Sequence, residues 1–183
     1  MELAPTFSEY SLALRRTGCE VVRFALKQEE NFDLRENFLP ILAREKIDAL
    51  FLCNPNNPTS SVIPRNQMRD ILDYCKKKSI TVLVDETYVE FAENMDEITA
   101  VPLTNFYNNI IILRGTSKFF AAPGLRLGYA ITGNPDLIKA INTRKNPWTI
   151  NSLAVIAGEL MFTDTDYIEK TKSLISKERS RIY

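Results

Sequence analysis

Three short runs, DALFLCN (48–54), ITVLVDE (80–86) and NIIILRG (109–115), are apolar at nearly every position. An alternating strand has one wet face, whereas a strand without alternation must be covered on both. This requirement predicts a parallel sheet with helices on each side. The intervening segments supply such helices. FSEYSLALRRTG (7–18) has helical spacing and stops on Gly18, Pro64 opens a helix running to Lys78, and Asn134-Pro135 starts another. Further helices are expected over 148–162 and 165–182, and further strands in CEVVRFAL (19–26) and RLGYAIT (126–132). FDLRENFLPILAREK reads as helical in its second half, with Pro40 near a start or a kink. The expected fold class is α/β, a mostly parallel sheet flanked by helices.

With 183 residues the chain can close one sizeable core. Its 23 basic residues balance 23 acidic ones, so no net field recommends a nucleic acid or an anionic membrane as partner. The run Lys76-Lys77-Lys78 closes a predicted helix, where cations complement the helix dipole. Histidine is absent, which excludes Ser-His-Asp triads, Cys-His dyads and most zinc sites. Cys19, Cys53 and Cys75 form no CxxC pair, and Cys53 lies in an apolar run that reads as buried. No run reaches membrane-spanning length, and MELAPTFSEY lacks a signal-peptide core, so the expected compartment is the cytoplasm.

Ligands of open parallel sheets gather beyond the carboxyl ends of the strands. Here DALFLCN runs into the turn NPNNPTS (54–60), ITVLVDE ends on Asp85 ahead of Glu86, Thr87 and Tyr88, and NIIILRG delivers TSKFFAAPGLRLGY (116–129). An Asn-rich turn, an acid, a phenol, a lysine and an arginine are therefore expected at one edge of the sheet. Taken singly, each has an ordinary structural explanation, including an Asp85–Arg126 ion pair. Their convergence is what points to a ligand. No GxxxxGK[ST] and no GxGxxG after the first strand is present, so the anion-binding turn of nucleotide folds is missing.

FLCNPNNPTSSVIP, VDETYVEF and TSKFFAAPGLRLGY, in that order and separation, resemble the three consecutive signatures of class I/II aminotransferases, the fold-type I pyridoxal-phosphate enzymes. KFFAAPGLRLGY and NPWTINSLA look most like threonine-phosphate decarboxylases, while NPNNPT and DE-x-Y-x-EF are shared with histidinol-phosphate aminotransferases. The resemblance implies pyridoxal 5'-phosphate as cofactor and assigns roles. Lys118 would form the Schiff base and then shuttle protons. Asp85 would meet the pyridine nitrogen. Asn57 and Tyr88 would hydrogen-bond the phenolic oxygen, and Arg126 with Ser117 would hold the phosphate. Phe7 would stack on one ring face and Thr87 would pack the other. The implied activity is amino transfer on a small amino acid or phosphorylated amine, by a homodimer. Decarboxylation of threonine phosphate and a truncated, non-catalytic cofactor-binding or interaction module stand as alternatives.

The sequence departs from the family pattern at Ser60, where glycine is usual, a change tolerated unless the position needs positive φ. Gly115 stands where relatives supply a phosphate-binding hydroxyl, leaving Thr116 or Ser117 to compensate. Thr87 adds a hydroxyl where alanine is common. The chain also starts almost at the stacking aromatic. Residues 1–164 are accordingly expected to form a partial large domain, and 165–183 a helix leading into an absent small domain. The family's N-terminal arm, its first two strands, its glycine-containing phosphate turn and the carboxylate-gripping arginine are expected to be missing. Loss of the second strand would leave a gap between the strands at 19–26 and 48–54, or force a rearranged sheet.

Overall fold

The computed structural model describes residues 1–35 and 38–182. Six strands, β1 (Glu2–Ala4), β2 (Arg23–Ala25), β3 (Ala49–Cys53), β4 (Thr81–Asp85), β5 (Ile110–Gly115) and β6 (Gly128–Ile131), form one sheet in the order β2-β1-β3-β4-β5-β6. Neighbours run parallel except β6, which pairs antiparallel with β5 at the edge. The helices are α1 (Glu9–Arg16), α2 (Phe38–Leu42), α3 (Arg65–Lys77), α4 (Met95–Ile98), α5 (Pro135–Arg144), α6 (Ser152–Thr163) and α7 (Thr165–Ile182).

Between the strands at 19–26 and 48–54, where a gap or a rearranged sheet is expected, the structure places β1, so the gap is not formed. Its three residues pair in register with β2, and Glu2 stands opposite Phe51 of β3. The Met1 amino group donates to the Ala49 carbonyl at 2.7 Å, and the Phe51 amide donates to the Met1 carbonyl at 2.9 Å. Met1 and Leu3 are buried, so burial on both sides holds a strand too short to show a sequence period.

Helix boundaries follow local chemistry. After α1, Gly18 adopts φ 79°, a left-handed conformation that suits glycine, and its amide donates to the Arg15 carbonyl. Pro64 is extended and opens α3, whose buried residues Met68, Ile71, Leu72 and Cys75 repeat at helical spacing. Asn134 caps α5 by accepting from the amides of Asp136 and Leu137. Pro40 lies within the first turn of α2, where its missing N–H has no carbonyl to serve. α2 falls in the second half of 32–46, the part expected to be helical, but stops at Leu42, and Glu36 and Asn37 of that stretch lie outside the described residues.

The two faces of the sheet are not covered equally. Leu50, Leu52, Val82, Val84, Ile110 and Ile112 are sealed in one core with the buried side of α3. Phe51, Leu83 and Leu113, pointing the other way, are half-buried. β4 then ends in two carboxylates of opposite fate. Glu86, 0% exposed, accepts from Arg114 Nη2 (2.7 Å), Arg114 Nε (3.1 Å) and Thr99 Oγ1 (2.8 Å) on one oxygen, and from the Ala100 amide (2.6 Å) on the other. Burial alone would weaken the proton affinity of the Arg114 guanidinium. The hydrogen bond and charge of Glu86, with the charge of Glu90, outweigh it and raise the pKa.

A largely buried guanidinium that loses its hydrogen-bonded carboxylate and keeps only Glu90, 3.8 Å away, is strongly unfavourable. Glu86→Ala is therefore expected to lower the unfolding free energy by about 3–5 kcal/mol, read from the urea midpoint. A loss no larger than that of an exposed substitution would show that the pair holds nothing together.

Candidate active site

Every site residue expected from the sequence lines one cleft of about 320 Å3 at the carboxyl edge of the sheet. Phe7 enters from the segment before α1, Asn57 from the turn after β3, and Asp85, Thr87 and Tyr88 from the end of β4. Ser117, Lys118 and Arg126 come from the connection between β5 and β6. Tyr10, Cys53 and Pro123 complete the lining.

The three asparagines of NPNNPTS divide their work. Asn54 is fully buried and brackets Ile63, donating to its carbonyl at 3.0 Å and accepting from its amide at 2.9 Å. Asn56 donates to the Pro5 carbonyl at 2.9 Å and to Thr59 Oγ1 at 2.7 Å, and accepts from Thr6 Oγ1 at 2.8 Å. It thereby ties the turn to the segment carrying Phe7. Asn57 faces the cleft and, among the described residues, its side chain makes none of these structural bonds.

Asp85 is gripped from two sides. Oδ1 accepts from the Thr87 amide at 2.8 Å and from Thr87 Oγ1 at 2.6 Å, while Oδ2 accepts from the Tyr10 hydroxyl at 2.6 Å. The hydroxyl that distinguishes Thr87 from alanine is thus spent on Asp85. Tyr10 escaped the sequence reading. Its signal was the i, i+3 spacing from Phe7 in FSEY, which puts both rings on one side of the helix entry. Cys53 is buried as expected but also lines the cleft, and its Sγ donates to the Pro55 carbonyl at 3.3 Å. Burial pushes the Cys53 thiol up, so it stays protonated.

Lys118 and Arg126 are exposed to the cleft, and among the described residues neither forms an ion pair. The Asp85–Arg126 pair considered from the sequence is therefore not formed. Lys118 Nζ stands 5.9 Å from the centre of the Tyr88 ring, and Arg126 Nη1 donates to the Pro123 carbonyl at 3.0 Å. Phe119 anchors the lysine segment by packing on Phe91 and Phe120, and its carbonyl accepts from Tyr167 Oη at 3.0 Å. Thr116 and Ser117 differ in burial. Thr116 is sealed and its hydroxyl donates to the Leu127 carbonyl at 3.1 Å, leaving Ser117 on the cleft.

Residues 2–183 match the family model for aminotransferase class I and II. The chain belongs to that family. Threonine-phosphate decarboxylase of Salmonella typhimurium is 34% identical over 183 residues, covering 100% of this chain and 50% of that protein. Histidinol-phosphate aminotransferase of Methanopyrus kandleri is 35% identical over 179 residues, covering 98% and 44%. The crystal structure of the histidinol-phosphate aminotransferase from Clostridium acetobutylicum superposes with a TM-score of 0.90 at 32% identity, covering 98% of this chain and 53% of that one. The chain spans about half the length of the curated relatives it matches.

Enzymes of this family use pyridoxal 5'-phosphate, and the cleft fits it. Its volume of about 320 Å3 falls within the range of small-molecule sites. Arg126 offers a guanidinium that suits a phosphate, Lys118 a primary amine that suits an aldehyde, Asp85 Oδ2 can accept from a ring N–H, and Phe7 offers an exposed aromatic face.

Ser60 sits at φ 60°, so its position does require the left-handed conformation that favours glycine. Ser60→Gly is expected to stabilise the chain by about 0.5–1 kcal/mol, the relieved strain less the extra freedom of unfolded glycine. A lowered urea midpoint in that variant would contradict it.

Proposed function

We propose that this chain holds pyridoxal 5'-phosphate in the cleft and serves an enzyme that transfers the amino group of a small amino acid or phosphorylated amine. The observation that carries the reading is the convergence of two unpaired cations, Lys118 and Arg126, on a cleft whose floor presents Asp85. When bound, the cofactor supplies an aldehyde that takes up primary amines and a ring that draws electrons from the substrate Cα.

The chain's own groups divide the remaining tasks. Lys118 would hold the cofactor through its amino group and would be the group placed to carry a proton to and from the substrate. Asp85 accepts the ring N–H and, as a carboxylate, favours its protonated form. Arg126 offers a planar donor fork to the phosphate, with the Ser117 hydroxyl beside it. Asn57 and Tyr88 would donate to the phenolic oxygen, while Phe7 would cover one ring face and Thr87 the other. A hollow of about 550 Å3 adjoins Asn57 and Tyr88 and gives a substrate room to approach.

Decarboxylation is the second reading, favoured by the 34% identity to threonine-phosphate decarboxylase and by KFFAAPGLRLGY and NPWTINSLA. The same proposal takes residues 1–164 as part of a cofactor-binding large domain and 165–183 as a helix leading into a small domain. It also takes the working form as a cytoplasmic homodimer. No helix among the described residues is long and apolar enough to cross a membrane.

Mixing the purified chain with pyridoxal phosphate is expected to produce a visible absorption band that Lys118→Ala lacks. No lysine-dependent band in the wild type would overturn cofactor binding. In the full-length protein, Lys118→Ala is expected to cut turnover about 100- to 10,000-fold, the usual weight of a positioned acid–base group. Carbon dioxide release from threonine phosphate would select decarboxylation, and transfer to 2-oxoglutarate without it would select amino transfer.

A further inference from the structure

We infer that Tyr10 is a positioning residue for the cofactor ring, holding the Asp85 carboxylate with its hydroxyl and bracing Phe7 with its own ring. The inference rests on the cofactor reading above. Asp85 Oδ1 already accepts twice from Thr87, at 2.8 and 2.6 Å, so Oδ2 is the oxygen with capacity left for a ligand. Tyr10 reaches that same Oδ2 at 2.6 Å, from 75 positions earlier in the chain. With both oxygens engaged, the carboxylate cannot turn about its last bond, and Oδ2 keeps a fixed direction for one further donor. Burial, reinforced by Cys53 and Asp85, holds the tyrosine hydroxyl protonated, so it donates rather than competes.

The ring of Tyr10 does a separate task. It meets Phe7 edge-on, with centroids 5.6 Å apart and planes at 78°, and it is backed by Phe51 at 5.6 Å. Phe7 is 44% exposed and has a face free for a ligand, whereas Tyr10 is 8% exposed and fixed. One buried side chain therefore sets both the group that would meet the ring nitrogen and the group that would cover the ring face.

The test titrates pyridoxal phosphate into the wild-type chain, Tyr10→Phe, Asp85→Ala and the double variant. Absorbance and circular dichroism of the visible band are followed. Tyr10→Phe is expected to keep the Lys118-dependent band, weaken binding on the order of tenfold, and reduce the visible dichroism as the ring loses its fixed setting. In the Asp85→Ala background, Tyr10→Phe is expected to change affinity by less than about twofold, because its route is gone. Tyr10→His, which returns an N–H donor, is expected to regain part of the loss and gives the reading if Tyr10→Phe fails to fold. Unchanged affinity and dichroism in Tyr10→Phe, or an equal loss with Asp85 already removed, would overturn the role of Tyr10 alone. A wild-type chain without the lysine-dependent band would overturn this inference together with the cofactor reading.

Discussion

The apolar interiors of β3, β4 and β5, sealed on one face and half-buried on the other, decide where this chain can do chemistry. The middle of each strand is apolar (Leu50–Leu52, Val82–Val84 and Ile110–Leu113), so polar groups can enter only at the strand ends, as Asp85 and Arg114 do. Because the three strands run parallel and in register, they stop together. Cys53 stands opposite Asp85, and Asp85 opposite Leu113. The turn, the acid and the lysine segment arrive at one edge as a consequence of the ladder, and no long-range guidance is needed.

The same ladder separates two adjacent carboxylates. Side chains alternate along a strand, so Asp85 and Glu86 leave β4 in opposite directions. Glu86 enters the sealed side, where Arg114, Thr99 and the Ala100 amide satisfy it completely. Asp85 emerges on the less covered side, where Thr87 and Tyr10 hold it and one lone-pair direction stays available. Chemically identical groups thus become a structural pin and a ligand-facing acceptor through a difference of one residue.

Much of this was legible in the sequence because the signals were local or periodic. The apolar runs, Gly18, Pro64 and Asn134 each announce an element through their own chemistry, and the strand ends announce the cleft. What stayed hidden depended on contacts between distant segments. β1 has too few residues for any period, and its place comes from Met1 and Leu3 finding a core. The need for positive φ at Ser60 is a property of how the turn closes on Asn56. The duties of Thr116 and Tyr10 are hydrogen bonds to Leu127 and Asp85, partners that no spacing rule names.

Asn56 links two segments beside the cleft that the chain itself keeps far apart. By binding Pro5, Thr6 and Thr59 at once, it joins the Phe7 segment and the Asn57 turn into a single wall. The opposite wall, from Lys118 to Arg126, has an exposed lysine and arginine and includes two non-glycine residues in left-handed conformations, Ala121 and Arg126. One wall of the cleft is thus set by contacts between residues 50 and 51 positions apart, whereas the wall that carries both cations is set within a single connection, from β5 to β6.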